Sequence, residues 1–144
     1  MNEKYLDVYK LVRCVKVKET LDSNYQKLKH SVVSSAGESD FHKNVFSYEL
    51  HNDECLLLII PALECNIQFT PSLKIINGNQ YLKISAREIN QTDDKDIITL
   101  YLDKSGVIFI GEIDDTKRFE TNDQDLFLDI LDAILKKLQA LGRF

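Results

Sequence analysis

Glycine is scarce in this sequence, with five residues among 144, and no G-x-G-x-x-G or other phosphate-cradling loop is present. The longest apolar run, residues 56–63, is interrupted by Pro61 and is far shorter than the ~20 residues that cross a membrane. The first ten residues carry charges that no apolar signal core follows, which argues against a cleaved secretion signal. The sequence therefore predicts a protein without the common nucleotide-binding loops and without a membrane partner.

Cysteine is also sparse, and its three residues lack paired spacing. This pattern is typical of free thiols in a reducing compartment, so we expect a cytoplasmic protein. Ligand-type side chains do occur close together in the sequence, at His42, His51, Cys55 and Cys65. Because neither C-x2-C nor H-x3-H is present, we interpret the cysteines as core residues and expect no metal or cofactor.

Motifs for nucleophilic catalysis are missing as well. The serines at residues 34–35 precede Ala36-Gly37 and do not form the G-x-S-x-G elbow. All three cysteines lie in apolar segments, where a thiolate is disfavoured. The carboxylates form no recognisable set for acid–base or metal chemistry. These absences predict a noncatalytic protein.

The composition is that of one ordinary globular domain over residues 1–144, with 44% hydrophobic and 28% charged residues. Its net charge of −5 argues against nonspecific nucleic-acid binding, which requires clustered Lys and Arg. Tyr81, Lys83 and Arg87 share one face of a predicted strand, which faintly resembles a stacking platform for single strands. Such a platform usually presents two aromatic side chains, so we expect no nucleic-acid partner.

The N-terminal region is ambiguous. Apolar residues at helical spacing occur in two groups separated by a break: Tyr5, Val8, Val12 and Val15, then Leu21, Tyr25 and Leu28. This spacing favours a helix within residues 3–30, whereas the β-branched residues at 12–18 leave a strand as the alternative. The polar stretch at residues 34–40 predicts a loop.

Residues 46–113 are typical of consecutive strands. Apolar and polar residues alternate from Phe46 to His51, and residues 55–60 are apolar on both faces. A further strand is predicted over residues 64–69, where Thr70-Pro71 should end it.

Two turn motifs predict hairpins. Asn77-Gly78 fits a type I′ turn and places Leu73 opposite Leu82, on the face shared with Ile84 and Ala86. A second hairpin joins residues 97–102 to residues 107–113 through a turn in which Gly106 takes the left-handed position.

The C-terminal segment, residues 125–144, predicts an amphipathic helix with an unusually wide apolar face. A linker over residues 114–122 leads into it, Thr121, Asn122 or Asp123 can cap its start, and Gly142 can end it. Five of its apolar residues suffice to cover a sheet: Phe127, Ile130, Ile134, Leu138 and Leu141.

Two leucines of this helix, Leu128 and Leu135, are left over and are predicted to bind a partner. Asp129 and Asp132 lie beside them and would steer a basic partner. An N-terminal helix packed alongside would compete for the two leucines.

Short turns between consecutive strands predict an α+β domain: an antiparallel meander of about five to seven strands, covered on one face by the C-terminal helix and an N-terminal helix. We expect a noncatalytic cytoplasmic module that binds a partner polypeptide, as an immunity protein or inhibitor does with a basic toxin or effector. A secretion chaperone is one alternative, since size, acidity and the closing helix are similar to the profile of those proteins. Their pattern of a helix inserted between strands is not seen. A small enzyme or ligand carrier, with a pocket lined by Tyr48, His51 or Tyr101, is the other alternative.

Overall fold

The computed structural model describes residues 3–52, 54–89, 95–114 and 118–144. A short 3-10 turn, Glu3–Tyr5, leads into helix α1, and helix α2 follows the sheet. The helices are α1 (Leu6–Glu38) and α2 (Leu126–Ala140). The strands are β1 (Ser47–His51), β2 (Cys55–Ile60), β3 (Cys65–Ile76), β4 (Asn79–Glu88), β5 (Ile98–Leu102), β6 (Val107–Ile110) and β7 (Arg118–Glu120). The seven strands form one antiparallel sheet in chain order, which confirms the predicted α+β meander.

Both helices pack on one face of the sheet. Successive side chains of a strand point to opposite faces, so every second residue points toward the helices, as do the buried residues Leu82, Ile84 and Ala86 of β4. The hydroxyl of Tyr48 on β1 donates a 2.6 Å hydrogen bond to the carbonyl oxygen of Phe127 on α2. The core therefore joins the first strand to the last helix.

The N-terminal region is helical, as favoured from its spacing, but α1 is longer than predicted. The loop predicted over residues 34–40 is wrong at its start, because the helix continues to Glu38. Val33 and Ala36 pack against the core there, and this contact outweighs the low helix propensity of the two serines. The helix ends where the backbone N–H and hydroxyl of Ser39 donate to the carbonyl oxygen of Ala36. No helix in the described part of the chain is both long enough and apolar enough to span a membrane.

The hairpin between β3 and β4 has the predicted register, with Leu73 opposite Leu82 across the Asn77-Gly78 turn. Leu73 lies on the predicted face, shared with Ile84 and Ala86, but it is 41% exposed there and is not part of the buried core. The predicted break at Thr70-Pro71 is wrong, since β3 runs through Pro71 to Ile76. β2 pairs with residues 65–68 of β3, so Pro71 lies where β3 is an edge, and proline is tolerated there.

The second hairpin turns as predicted, with Gly106 at a φ of +84°. The segment predicted as a plain linker, residues 114–122, contains strand β7, which pairs with β6. Its central residue, Phe119, packs against the core. A three-residue strand is too short for its alternation to be visible in the sequence.

Helix α2 is shorter than predicted. It ends before Leu141. This leucine is 56% exposed, so its predicted place in the core is wrong. Gly142, at a φ of +75°, follows as the predicted stop. The predicted caps Thr121, Asn122 and Asp123 lie too early, because the residue that caps α2 is Asp125, whose side chain makes no capping hydrogen bond. The carboxylate of Asp123 instead accepts a hydrogen bond from the backbone N–H of Glu120.

Candidate functional site

The N-terminal arm, which we define as residues 5–15, carries most of the exposed apolar side chains of the described chain. Its seven large apolar residues are 40–64% exposed: Tyr5, Leu6, Val8, Tyr9, Leu11, Val12 and Val15. Exposed apolar residues scattered singly are ordinary on a soluble protein, but a contiguous patch of several marks a contact surface. This arm is therefore the strongest candidate for a functional surface.

The arm presents a different side of α1 from the side that covers the sheet. The sheet-facing residues are Leu21, Tyr25, Leu28 and Val32, all buried. At about 100° per residue, the stripe of Val8, Leu11, Val12 and Val15 lies roughly 120° around the helix from them. The break in spacing between Val15 and Leu21 is thus a change of face within one continuous helix.

The arm projects past the end of the sheet. The side-chain amide of Gln80, at the start of β4, donates a 3.2 Å hydrogen bond to the carbonyl oxygen of Cys14. Residues 4–13, which precede this contact, are all exposed. Ten helical residues span about 15 Å. The arm is held at its base by the sheet and is accessible along its length.

Basic residues are concentrated where the arm joins the rest of α1. Residues 10–18 contain Lys10, Arg13, Lys16 and Lys18, whereas the whole chain has a net charge of −5. Asp7 lies 4.0 Å from Lys10 and Asp22 lies 3.0 Å from Lys18, so these two carboxylates offset part of the positive charge, while Arg13 and Lys16 add to it. The apolar stripe is therefore bordered by positive charge.

The exposed end of β3 extends the apolar surface onto a second element. Leu73 and Ile75 are 41% and 57% exposed and share the helix-covered face of the sheet, as their partners Leu82 and Gln80 show. Gln80 is also the residue that bonds the base of the arm. The arm and the end of β3 therefore lie next to each other.

A cavity of about 430 Å³ lies between α1 and the point where β2 and β3 separate. Lys29 is buried there, donates a 2.6 Å hydrogen bond to the carbonyl oxygen of Glu54 and lies 4.8 Å from the ring centroid of Tyr25. The Tyr25 hydroxyl has no hydrogen-bond partner among the described residues, and burial raises its pKa. The sequence did not predict this cavity, because the strand was expected to end at residue 69, within the segment that lines it.

The residues predicted to bind a partner lie on α2. Leu128 and Leu135 are half-buried and both pack against the core. Asp132 is exposed and pairs with Lys136 at 2.9 Å, while burial and the nearby carboxylates of Asp125, Asp123 and Asp132 raise the pKa of Asp129. The apolar surface available on α2 is therefore smaller than on the arm.

The predicted ligand-type residues do not come together as one group. His51 lies opposite Cys55 in the β1–β2 register, whereas Cys65 pairs with Ile60 at the far end of β2. No group of three or more His, Cys, Asp or Glu side chains among residues 3–52, 54–89, 95–114 and 118–144 is arranged to hold a metal ion.

The aromatic residues considered for a pocket are also apart. Tyr48 is buried under α2, and Tyr101 lies on the opposite face of the sheet, against Tyr81 at a ring distance of 6.4 Å. This second aromatic beside Tyr81 was missed from the sequence, because only the β4–β5 register brings the two together. Arg87 on the same face pairs with Asp96 at 2.5 Å, which reduces the positive charge available there.

Comparisons of the chain with protein-family models, with curated proteins and with solved structures find no match.

Proposed function

We propose that this chain is a noncatalytic protein-binding module that occupies a partner polypeptide through the N-terminal arm. The observation that carries the proposal is the arm itself, with seven apolar side chains that are 40–64% exposed. Covering a half-exposed valine or leucine contributes about 1 kcal/mol, so the arm supplies part of the free energy that offsets the cost of association. Occupation of a toxin or effector in this way would neutralise it or keep it ready for export.

A folded partner suits the surface better than a lipid bilayer does. A basic amphipathic helix also fits an anionic membrane, where its apolar side lies in the interface. Here the apolar surface continues from the arm onto Leu73 and Ile75 of β3, so it is formed by two elements rather than one helix face. The surrounding lysines favour a partner whose contact surface is acidic around an apolar centre.

The free state of Cys14, Cys55 and Cys65 supports a reducing, cytoplasmic setting for this interaction.

Neutralisation and chaperoning share the same contact and differ in the fate of the partner. The activity of the partner in the purified complex distinguishes them.

The test compares the wild-type chain with the double variant Val8→Asp/Val12→Asp. A partner captured by the wild-type chain is purified and titrated against both proteins by calorimetry. We expect the variant to bind about 30-fold more weakly, since two apolar contacts of about 1 kcal/mol each are lost. Leu141→Asp is the matched control, because Leu141 is 56% exposed but lies at the end of α2.

Two results would contradict this proposal. One is equal affinity of the double variant and the wild-type chain for the purified partner. The other is binding of the arm to phosphatidylserine vesicles and to no polypeptide.

A further inference from the structure

The distal part of β3 has one open edge. β4 pairs with residues 67–76 of β3, but β2 pairs only with residues 65–68, so residues 70–76 border no other strand of the described sheet. An open edge leaves main-chain N–H and C=O groups available to another chain.

The hairpin geometry identifies which groups face outward. In a hairpin with a two-residue turn, the flanking residues Ile76 and Asn79 exchange hydrogen bonds, and alternate pairs do so further along. The intervening residues Pro71, Leu73 and Ile75 therefore direct their main-chain groups to the free edge. Pro71 has no N–H to offer, which agrees with its position on this side of the strand.

The two sides of this edge differ in chemistry. On the side that faces α1, the exposed side chains are Leu73 and Ile75. Helix α1 borders the same side, since Asp22, Gln26 and Lys29 line one cavity with residues 68–71 of β3. Leu11 and Val15 precede Asp22 by eleven and seven residues, so they lie along that side of the helix.

The opposite side of the edge is basic. Lys74 points away from α1 and is exposed, and Lys83 lies on the same face across the β3–β4 pair. A second copy of this chain would bring its own Lys74 and Lys83 to the same side of the edge, which is unfavourable. An acidic foreign segment would neutralise both.

We propose that residues 70–76 of β3 accept an extended segment of the partner as an eighth strand, with apolar residues on the α1 side and acidic residues on the other. This inference rests on the proposed protein-binding function and specifies how the partner is held. Main-chain hydrogen bonds to Leu73 and Ile75 supply affinity, and the alternating side chains supply specificity.

A displayed library of random 12-residue peptides, selected against the full-length chain, tests this mode. We expect selected peptides to alternate apolar and acidic residues and to slow hydrogen exchange at the amides of Leu73 and Ile75. Ile75→Pro should weaken a selected peptide about tenfold relative to Ile75→Thr, since both remove the apolar side chain but only proline removes the outward N–H. The variant Lys74→Glu should also weaken the binding of the selected peptide.

Selection of no peptide above background, or of peptides without the alternation, would overturn the inference. So would unchanged exchange at Leu73 and Ile75 in the wild-type complex, a measurement that does not depend on whether the proline variant folds. If the purified partner still binds Ile75→Pro as well as Ile75→Thr but is lost with Val8→Asp/Val12→Asp, strand addition fails while the proposed function stands. If neither Ile75→Pro nor Val8→Asp/Val12→Asp weakens the binding of that partner, strand addition and the proposed function both fail.

Discussion

Cys65 shows how one buried side chain links the sheet to the end of the chain. It begins β3 and is 1% exposed. Burial raises the pKa of its thiol from the ordinary 9.0 to about 11, the neighbouring Glu88 raises it too, and Arg143 lowers it. The thiol therefore stays protonated at neutral pH and has little of the nucleophilic character that a catalytic cysteine requires.

The raised pKa of Cys65 predicts a loss of stability in alkali. A folded-state pKa above the unfolded value means that the stabilising contribution is fully present below about pH 9 and is lost as pH rises toward 11. We expect a loss of about 1–2 kcal/mol of unfolding free energy across this window. Urea unfolding at pH 8 and pH 10.5 measures it. Cys65→Ala should show a shallower decline, and an identical decline would refute the assignment.

At the scale of elements, two local signals in the sequence were reliable. The Asn-Gly turn set the register of β3 and β4, and the apolar periodicity of α2 placed Phe127, Ile130 and Ile134 in the core. The predictions at Pro71 and at residues 34–38 were wrong. An open sheet edge tolerates the proline within β3, and contacts with the core keep residues 34–38 helical. Both depend on partners distant in sequence, which no local propensity reports.

The candidate site was predictable only in part. The helical spacing of Val8, Val12 and Val15 was visible in the sequence, but the side of α1 that faces the sheet was not. That side is fixed by long-range contacts such as the bond from Asn24 to the carbonyl oxygen of Asp103 in the β5–β6 turn. Because the sequence does not show which side of α1 faces the sheet, it predicts the partner surface at Leu128 and Leu135 instead of on the arm.

The two leucines of α2 allow a direct comparison with the arm. Because Leu128 and Leu135 pack against the core, we expect Leu128→Asp and Leu135→Asp each to lower the unfolding free energy by about 1–3 kcal/mol. Thermal unfolding checks this, with Asp132→Ala as an exposed control on the same helix. Wild-type stability combined with weaker partner binding would instead assign the partner surface to α2.

For the whole molecule, the sheet order brings the two helices together on one face. α1 precedes β1 at one edge, α2 follows β7 at the other, and the helices contact each other over the core. Arg143 then ties the C-terminus to β4 through a two-pronged contact with Glu88, in which its Nη2 lies 2.6 Å from Oε1. The Glu88 side chain is only 7% exposed, so this pair is shielded from solvent.

Loss of this tie should be measurable. Arg143→Ala leaves the shielded carboxylate of Glu88 without its guanidinium, and we expect the unfolding free energy to fall by about 1–2 kcal/mol. The matched control is Lys136→Ala, whose exposed pair with Asp132 should contribute at most about 0.5 kcal/mol. Chemical unfolding distinguishes the two, and equal effects would show that the Arg143 pair is no stronger than an exposed one.

The separation of the arm from the core has an evolutionary consequence. Residues 4–13 are exposed along their whole length, so substitutions there have little effect on the free energy of folding. Under the proposed function, recognition by the arm could therefore diverge without passing through unstable intermediates, whereas changes to a binding surface within the core would be purged. A helix built in this way would allow one stable scaffold to follow a changing partner.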